Sequence, residues 1–466
     1  MRGRKSAPEL PRGRLGDPDP GPMRRVLYAV YDAGWVVAAI VGAPWLLWSC
    51  LRRPGFAAGV RERIGRGLDR LPPRVRSRVL VHGVSVGEVK AARSIVTELE
   101  KSYPELEVVI STTTDTGMEV ARGIYPENLV VRFPVDLSFF VRRFLRCIDP
   151  TFVVLVELEI WPNFLRQCNR DGRPVAVVNG RITEISHGRY LVFRKLLPEF
   201  NRISLFCVQS PEYAERFRLL DVEDERILVT GNIKVDGLRT GPLDPGEERR
   251  ELLGGRPGQR VLVAGSTHEP EERWLAQVWR EFVPELRLIL VPRHPSRSQA
   301  VLSTLAEIGV SCQSLSSLRA GNEEPDASRP ALVDTIGELE WIYGLADLVF
   351  VGGTLAPHGG QNMLEPAAQG KVCVFGPHLR NFTQEAKLLL EAQAAVRVEG
   401  TAYLGPALVR LEADPAECAR MGQRGMESVA SQRGATAITT GALATLGFDR
   451  LQRTAFSPLD PPSEQR

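Results

Sequence analysis

The strongest constraint on the fold is the alternation of strand-like and helix-like segments in two tandem runs. Short apolar, β-branched stretches at residues 79–82, 106–110 and 151–156 alternate with helical patterns in the first run. The same alternation resumes at residue 260, after a Gly- and Pro-rich break at residues 240–246. Apolar strands alternating with helices are typical of parallel sheets that are covered on both faces. The sequence therefore predicts an α/β fold of two Rossmann-like, doubly wound domains with a cleft between them.

An apolar segment near the N-terminus predicts a membrane anchor. Residues 26–51 carry one charge, Asp32, and at about 1.5 Å per residue a helix of this length reaches across a bilayer core of roughly 30 Å. The first 78 residues hold 16 Lys and Arg against 6 Asp and Glu, whereas the remainder holds 43 against 50. Arginines beside an apolar segment favour anionic headgroups. A buried helix of a soluble protein is the alternative, and the pattern leaves open whether the segment spans the membrane or lies in one leaflet.

These patterns divide the chain into five segments. Because 466 residues exceed what one hydrophobic core usually serves, two domains are expected. Met23 is a second candidate start of the chain, since the residues before it are polar and proline-rich. The predicted segments are a disordered leader at 1–22, a membrane anchor at 23–52, an N-terminal Rossmann-like domain at 53–239, a C-terminal Rossmann-like domain at 247–448 and a disordered tail at 449–466.

A glycine loop in the second run predicts a nucleotide-binding wall. Gly352 and Gly353 follow an apolar strand directly, at the end where open α/β sheets bind ligands. Glycines there let main-chain N–H groups approach an anion, and a helix predicted to begin near Asn362 adds its positive end. Glu365 lies in the first turn of that helix, where a carboxylate would repel a phosphate. We therefore expect Glu365 to accept hydrogen bonds from sugar hydroxyls.

Acidic side chains follow two predicted strands of the first run. Residues 82–88 end one strand and open a helix, so that Glu88 projects from the first helical turn. A carboxylate in that position suits a general base, although it also suits a helix N-terminus with no catalytic role. Glu157 and Glu159 directly follow a buried strand. Because buried acids are costly without partners, at least one of them is expected to face the cleft.

Cations lie at the same strand ends, and no metal site is predicted. Arg181 and Lys234 belong to the first run, and Arg293 to the second, where it follows a strand. They could neutralise a phosphate and a carboxylate together. The six histidines and the seven scattered cysteines show neither metal-ligand spacing nor a C-x-x-C pair, which predicts no catalytic metal and a reducing compartment.

Taken together, these motifs resemble those of bacterial 3-deoxy-D-manno-octulosonic acid (Kdo) transferases, lipid IVA-specific GT-B glycosyltransferases. The resemblance covers residues 23 to about 446. The chain departs from the family pattern at residues 179–181, 361–363 and 270–271. The motifs that carry it are the anchor, His82-Gly-Val-Ser-Val-Gly-Glu88, Glu157-Leu-Glu-Ile-Trp-Pro-Asn163, Gly231-Asn-Ile-Lys-Val-Asp236, Gly265-Ser-Thr-His268, Pro292-Arg-His-Pro295 and residues 349–382.

The resemblance implies an inverting transfer of Kdo from CMP-Kdo to the lipid A precursor, lipid IVA, without a cofactor or metal. It implies that Glu88 is the general base and that Glu159 or Glu157 is a second acid, of which Glu159 is preferred because it adjoins the turn at Trp161. The second domain would bind CMP-Kdo and the first the acceptor. The donor-binding residues it implies are Ser85, Gly87, Arg181, Lys234, Ser266, Thr267, His268, Arg293, His294, Gly352, Gly353, Thr354, Asn362, Glu365 and Asn381.

The family resemblance also implies a location at the cell inner membrane. The enzyme would be anchored by its N-terminus, with the catalytic domains on the cytoplasmic face, and no nucleic acid partner is expected. Two other functions remain alternatives: another membrane-associated GT-B enzyme that uses a UDP- or GDP-sugar, and a non-catalytic membrane scaffold. The motifs do not indicate the number of Kdo residues transferred, the acyl pattern of the acceptor or the oligomeric state.

Overall fold

The computed structural model describes residues 22–53, 55–193 and 199–455. Most of the predicted leader and residues 456–466 of the predicted tail lie outside the described residues. The chain forms two compact units, residues 1–237 with 433–466, and residues 238–432. Each unit contains one sheet of seven strands.

The first unit is built on a fully parallel sheet in the order β3-β2-β1-β4-β5-β6-β7. Its strands are β1 Ser77–His82, β2 Leu106–Thr112, β3 Leu129–Arg132, β4 Phe152–Val156, β5 Val175–Gly180, β6 Leu205–Val208 and β7 Ile227–Val229. Its first nine helices are α1 Pro22–Arg52, α2 Phe56–Arg63, α3 Val86–Ser102, α4 Asp115–Ile124, α5 Ser138–Ile148, α6 Pro162–Arg170, α7 Glu184–Phe193, α8 Pro211–Arg218 and α9 Ile233–Asp236. Strands β1 and β4 are buried almost throughout because helices cover both faces of the sheet.

The second unit repeats this architecture in the order β10-β11-β9-β8-β12-β13-β14, again fully parallel. Its strands are β8 Val261–Thr267, β9 Arg287–Pro292, β10 Gln313–Ser314, β11 Ala331–Leu332, β12 Leu348–Val351, β13 Val372–Phe375 and β14 Ala395–Arg397. Its helices are α10 Glu247–Leu253, α11 Glu271–Phe282, α12 Ser298–Glu307, α13 Leu315–Arg319, α14 Leu339–Ile342, α15 Leu364–Ala368, α16 Thr383–Glu391, α17 Thr401–Ala413 and α18 Pro415–Ser431. The predicted α/β class is confirmed.

The last helix belongs to the first unit, which corrects the boundary predicted at residue 448. The second unit ends at residue 432, and α19, Ala435–Ala455, packs against α3 and α9. The Asp236 carboxylate accepts hydrogen bonds from the N–H groups of Gly434 and Thr436, which fixes the start of α19. The alternation of strands and helices in the sequence does not indicate that the chain goes back to the first unit at its C-terminal end. Residues 449–455, predicted as disordered, continue the helix.

Helix α1 is long and apolar enough to cross a membrane by length and composition. Its apolar stretch is almost entirely exposed, as a membrane-facing helix should be. Its first third, however, contacts the first unit through polar groups. Tyr28 is buried and donates a hydrogen bond to Glu199, and the Asp32 carboxylate accepts one from Asn163 Nδ2 at 2.7 Å. The single charge of the apolar segment therefore fastens α1 to the protein.

Candidate active site

Glu88 is held in the first turn of α3, where strand β1 has just ended. Ser85 caps the helix, because its Oγ accepts the Glu88 N–H at 3.3 Å. The Glu88 carboxylate in turn accepts the Val84 N–H at 2.6 Å and the Ser85 hydroxyl at 2.7 Å. A Cβ on Gly83 would lie 3.0 Å from the Glu88 Cβ, so a glycine there lets the turn close. These contacts form a capping-box-like arrangement that fixes the position of the carboxylate.

The surroundings of Glu88 raise the pKa of its carboxyl. Burial is the largest cause, and the nearby charge of Glu157 adds to it, while the hydrogen bonds from Ser85 and Val84 oppose the shift. A carboxylate with a raised pKa binds a proton more strongly near neutral pH. The turn therefore presents a fixed group whose basicity suits proton abstraction.

Glu157, at the end of β4, forms a buried ion-pair network. Its Oε1 lies 2.6 Å from Lys234 Nζ and its Oε2 lies 2.9 Å from Arg181 Nε. Burial acts to raise the pKa of this carboxyl, but Lys234 and Arg181 outweigh burial and bring the pKa below its ordinary value. Glu157 is therefore ionised, with both oxygens engaged by cations.

Glu159, two residues further on, has the opposite electrostatic environment. Burial, followed by the charges of Glu88 and Glu157, raises the pKa of its carboxyl to about 8. At neutral pH Glu159 is thus mostly protonated and able to donate a hydrogen bond. Two neighbouring acids with pKa values pushed apart are typical of active sites.

Backbone strain marks three of the predicted loops. Glu157, Asn179 and Ser266 have φ angles of 60°, 55° and 55°, which non-glycine residues rarely adopt. A hydrogen bond stabilises the strained conformation of Asn179, because its Oδ1 accepts the N–H of Ile233 at 3.1 Å. That contact joins the end of β5, which carries Arg181, to α9, which carries Lys234. The first unit therefore brings Glu88, Glu157, Glu159, Arg181 and Lys234 into one cluster, as expected from their strand-end positions.

In the second unit, three histidines from the loops after β8, β9 and β12 lie close together. The rings of His268 and His358 are stacked with centroids 4.3 Å apart, and His294 meets His268 edge-on at 6.0 Å. Gln361 Nε2 donates to His268 Nε2 at 3.1 Å. Burial, then the neighbouring His358 and His294, lowers the pKa of His268 to about 4, so this ring is neutral at pH 7. Over residues 22–53, 55–193 and 199–455, no group of three or more His, Cys, Asp or Glu side chains could hold a metal ion.

The glycine loop after β12 lies against β8. A Cβ on Gly352 would lie 2.3 Å from the carbonyl oxygen of Ser266, so only glycine fits there. Contrary to the expectation that its N–H groups point at a ligand, those of Gly353 and Thr354 donate to the Glu271 carboxylate at 2.6 and 3.0 Å. Sequence reasoning named Glu271 only within the departure from the family pattern at residues 270–271 and gave it no role. A further signal was its place as an acid in the first turn of α11.

The other predicted residues of this unit have definite partners. Asn362 bridges its own turn, since Oδ1 accepts the Leu364 N–H at 3.1 Å and Nδ2 donates to Glu365 Oε1 at 2.9 Å. The Thr267 hydroxyl donates to Glu272 at 2.9 Å and is buried. Asn381 Nδ2 donates to the His358 carbonyl at 3.4 Å. Arg293 and His294 are exposed beyond the end of β9.

The sequence of this chain is similar to those of named bacterial proteins. Residues 58–237 match the family described as 3-Deoxy-D-manno-octulosonic-acid transferase (kdotransferase). The 3-deoxy-D-manno-octulosonic acid transferase of Haemophilus influenzae is 32% identical over 396 residues, which cover 83% of this chain and 90% of the relative. The transferase of Bordetella pertussis is 31% identical over 421 residues, covering 86% and 95%.

Solved structures with the same fold are far more distant in sequence. UDP-GlcNAc 2-epimerase from Neisseria meningitidis superimposes with a TM-score of 0.54 at 11% identity, over 78% of this chain and 99% of the epimerase. A glycosyltransferase from Rickettsia africae superimposes with a TM-score of 0.51 at 10% identity, over 82% and 100%. The two seven-stranded Rossmann-like sheets and these neighbours show that the protein has the GT-B fold.

The sequence identity of 31–32% to the two transferases assigns the chain to a family within this fold. The chain belongs to the Kdo transferase family, and it is therefore a glycosyltransferase. The resemblance inferred from the motifs is confirmed. The roles of the individual residues stay predictions.

Proposed function

We propose that this protein transfers Kdo from CMP-Kdo to the lipid A precursor, lipid IVA, with inversion at the anomeric carbon, in the synthesis of lipopolysaccharide. The observation that carries the proposal is the fixed, partly buried Glu88 carboxylate with its raised pKa. Membership of the Kdo transferase family supports the identity of the sugar.

Glu88 acts as the general base in this proposal. Its carboxylate accepts the proton of a glucosamine primary hydroxyl while that oxygen forms a bond to the Kdo anomeric carbon. The bond from this carbon to the phosphate oxygen breaks on the opposite face, and CMP leaves with the bonding electrons. Since attack and departure take place on opposite faces, the configuration inverts.

Glu159 is the better candidate for the second acid. Its protonated carboxyl can donate a hydrogen bond to an oxygen of the bound sugar at neutral pH. Glu157 is less suited, because Lys234 and Arg181 already engage both of its oxygens. Within the first unit, Glu157 would instead keep those two cations in place.

The donor's anionic groups are proposed to meet side chains of the second unit. Arg293 and His294 are exposed beyond β9, and His268 lies beside them. Glu365 is proposed to accept hydrogen bonds from the ribose. A phosphate would reach the N–H groups of the glycine loop only by displacing Glu271. The proposal involves no metal, because cationic side chains can offset the charge on the departing phosphate.

The proposed location is the cytoplasmic face of the inner membrane. The exposed apolar surface of α1 supports membrane association, and an acceptor with acyl chains requires an enzyme at the lipid surface. The basic N-terminal region suits an anionic leaflet.

A competition between sugar donors tests the proposal. The purified protein is incubated with a tetraacylated lipid acceptor and with CMP-Kdo or UDP-GlcNAc, and the products are weighed by mass spectrometry. We expect a mass increase of Kdo from CMP-Kdo alone. Transfer from the UDP-sugar only would replace this proposal with a different GT-B activity, and no transfer from either donor would favour a scaffold.

A further inference from the structure

We propose that Glu271 is a positioning residue. Its carboxylate accepts the main-chain N–H groups of the glycine loop, where an anion would otherwise bind, and it thereby fixes the relative position of His268 and His358 in the proposed donor site. The inference rests on the proposed function, because the site it organises is the proposed CMP-Kdo site. It assigns a role to a side chain outside the predicted set of donor-binding residues.

The carboxylate is surrounded by main-chain donors. Its Oε1 accepts the N–H groups of Thr354, Leu355 and Ala356 at 3.0, 3.0 and 3.2 Å. Its Oε2 accepts the Gly353 N–H at 2.6 Å. Successive N–H groups that converge on one point form a nest, a main-chain arrangement that binds anions. Here the anion is part of the protein itself.

Because Glu271 is buried, its carboxylate depends on these hydrogen bonds. Glu271 is fully buried, and burial raises the pKa of its carboxyl while the N–H groups oppose that shift. A buried carboxylate is costly unless hydrogen bonds compensate it, so the loop and the side chain stabilise each other. Removing the side chain would leave four loop N–H groups buried without an acceptor.

The same carboxylate also links the two segments that carry the stacked histidines. Oε2 accepts the N–H of His268 at 2.9 Å in addition to that of Gly353. His358 follows a few residues after Gly353, and its ring stacks on His268. A Cβ on Gly353 would lie 3.2 Å from the His268 ring, so the loop and the histidine are in close contact. Glu271 therefore sets the distance between the two rings through the main chain.

This geometry predicts how the donor binds. Because the loop N–H groups are engaged, the phosphate and the carboxylate of the donor must be recognised by side chains such as His268, His294 and Arg293. The loop serves as a preformed support for those side chains. It is a different arrangement from a loop whose N–H groups bind the nucleotide phosphate directly.

Amide hydrogen exchange of the wild-type protein tests the inference without any substitution. We expect residues 353–356 to be protected by about 100-fold in the free protein, and saturating CMP-Kdo to change their exchange by less than about twofold. Fast exchange in the free protein that slows more than about tenfold with CMP-Kdo would overturn the inference, because the N–H groups would then be donating to the ligand.

Substitution supplies the second test. Glu271→Gln keeps the size of the side chain but replaces one acceptor oxygen with a donor, so we expect CMP-Kdo affinity to fall at least about tenfold. The matched control is Glu269→Gln, on an exposed side chain of the same loop, which should stay within about twofold. Unchanged affinity in a folded Glu271→Gln protein would refute the positioning role.

Chemical rescue separates charge from volume. Formate added to Glu271→Ala should restore part of the CMP-Kdo affinity, whereas formamide of similar size should not. Equal rescue by both would show that the position needs only volume, against the inference. Absence of Kdo transfer by the wild-type protein would defeat the proposed function instead, and the exchange of residues 353–356 in the free wild-type and Glu271→Ala proteins would still decide whether Glu271 holds the loop.

Discussion

Glu157 and Glu159 lie two residues apart, and yet their carboxyls have pKa values shifted in opposite directions. Both are withdrawn from water, but Glu157 meets Lys234 and Arg181 whereas Glu159 meets the negative charges of Glu88 and Glu157. The sequence predicts that such acids need partners. It does not show which acid receives them, because Lys234 is brought in from a distant point in the chain.

Replacing Glu88 with Gln should abolish catalysis without unfolding the protein. The amide keeps the side-chain oxygen that accepts the Val84 N–H but cannot take a proton from the acceptor hydroxyl. We expect kcat to fall at least about 100-fold, in the range typical of a lost general base. Initial rates of Kdo transfer and thermal unfolding measure the two effects. Glu119→Gln, on an exposed residue of α4, is the control, and a Glu88→Gln enzyme of normal activity would exclude the base.

Glu159 should make the stability of the protein depend on pH. Its folded-state pKa, about 8, lies above the ordinary value of 4.5, so the folded protein holds this proton more tightly than the unfolded chain. The contribution of Glu159 to stability is therefore present in full below about pH 4.5 and is lost as the pH rises towards 8 and beyond. Glu159→Gln removes this dependence.

The measurement is the difference in Tm between wild type and Glu159→Gln across this pH range. We expect the Tm of the variant to rise relative to that of the wild type from pH 5 to about pH 8 and then to level off, because above this pH Glu159 is deprotonated in both states. A constant difference would mean that the proton on Glu159 binds equally well in both states. The comparison between variants cancels the titration of the groups that do not interact with Glu159.

At the scale of elements, the buried inner strands were predictable and the short strands at the sheet edges, β3, β7, β10 and β14, were not. Strands such as β4 and β12 are runs of buried β-branched and aromatic residues, which the sequence identifies directly. The edge strand β10 consists of two polar residues, Gln313 and Ser314. The edge strand β14 has three residues, of which only Ala395 is buried. Such strands form because the neighbouring strand offers free hydrogen-bonding groups, which no local pattern reveals.

In the candidate site, too, some features were predictable from the local sequence and others were not. The strand ends at Glu88, Glu157 and His268 were predictable because parallel strands align their carboxyl ends. The occupation of the glycine loop by Glu271 was not, since it depends on a side chain of α11 meeting main-chain groups more than eighty residues away. A glycine-rich sequence looks the same whether its N–H groups bind a ligand or an internal carboxylate.

The chain contacts the rest of the first unit on both sides of the exposed part of α1, which bears on how the helix meets the membrane. The Asp32 carboxylate, in the first third of the helix, accepts a hydrogen bond from Asn163, and after the helix the Arg63 carbonyl at the end of α2 accepts the Val135 N–H at 3.1 Å. The twenty residues from Asp32 to the end of α1 span about 30 Å, the thickness of a bilayer core. We therefore predict that both ends of this stretch stay on the same side of the bilayer, with the apolar face of the helix in one leaflet.

Cysteine labelling tests this orientation. In a variant without native cysteines, Met23→Cys and Leu51→Cys place exposed thiols at the two ends of α1. In sealed inner-membrane vesicles, a membrane-impermeant maleimide should label both from the side that also labels Val229→Cys on the first unit. Labelling of the two ends from opposite sides would show that α1 spans the membrane.

At the scale of the whole molecule, the chain leaves the first unit at residue 237 and returns at residue 433. The second unit is therefore an insertion between α9 and α19. Its own core is closed without α19, because Leu443 and Ala442 belong to the core cluster of the first unit, together with Ile95 and Ile233. The predicted boundary at residue 448 would have cut the molecule at the wrong place.

The division predicts which fragments fold. A fragment of residues 238–432 should be monomeric and should unfold cooperatively in urea, since it contains its complete sheet and core. A fragment of residues 238–455 should bind the dye ANS and self-associate, because α19 would expose the apolar face that Leu443 buries in the intact protein. Size-exclusion chromatography and ANS fluorescence compare the two. If the longer fragment were monomeric and bound less ANS than the shorter one, α19 would have to stabilise the second unit, and its contacts with α3 and α9 would matter less for stability.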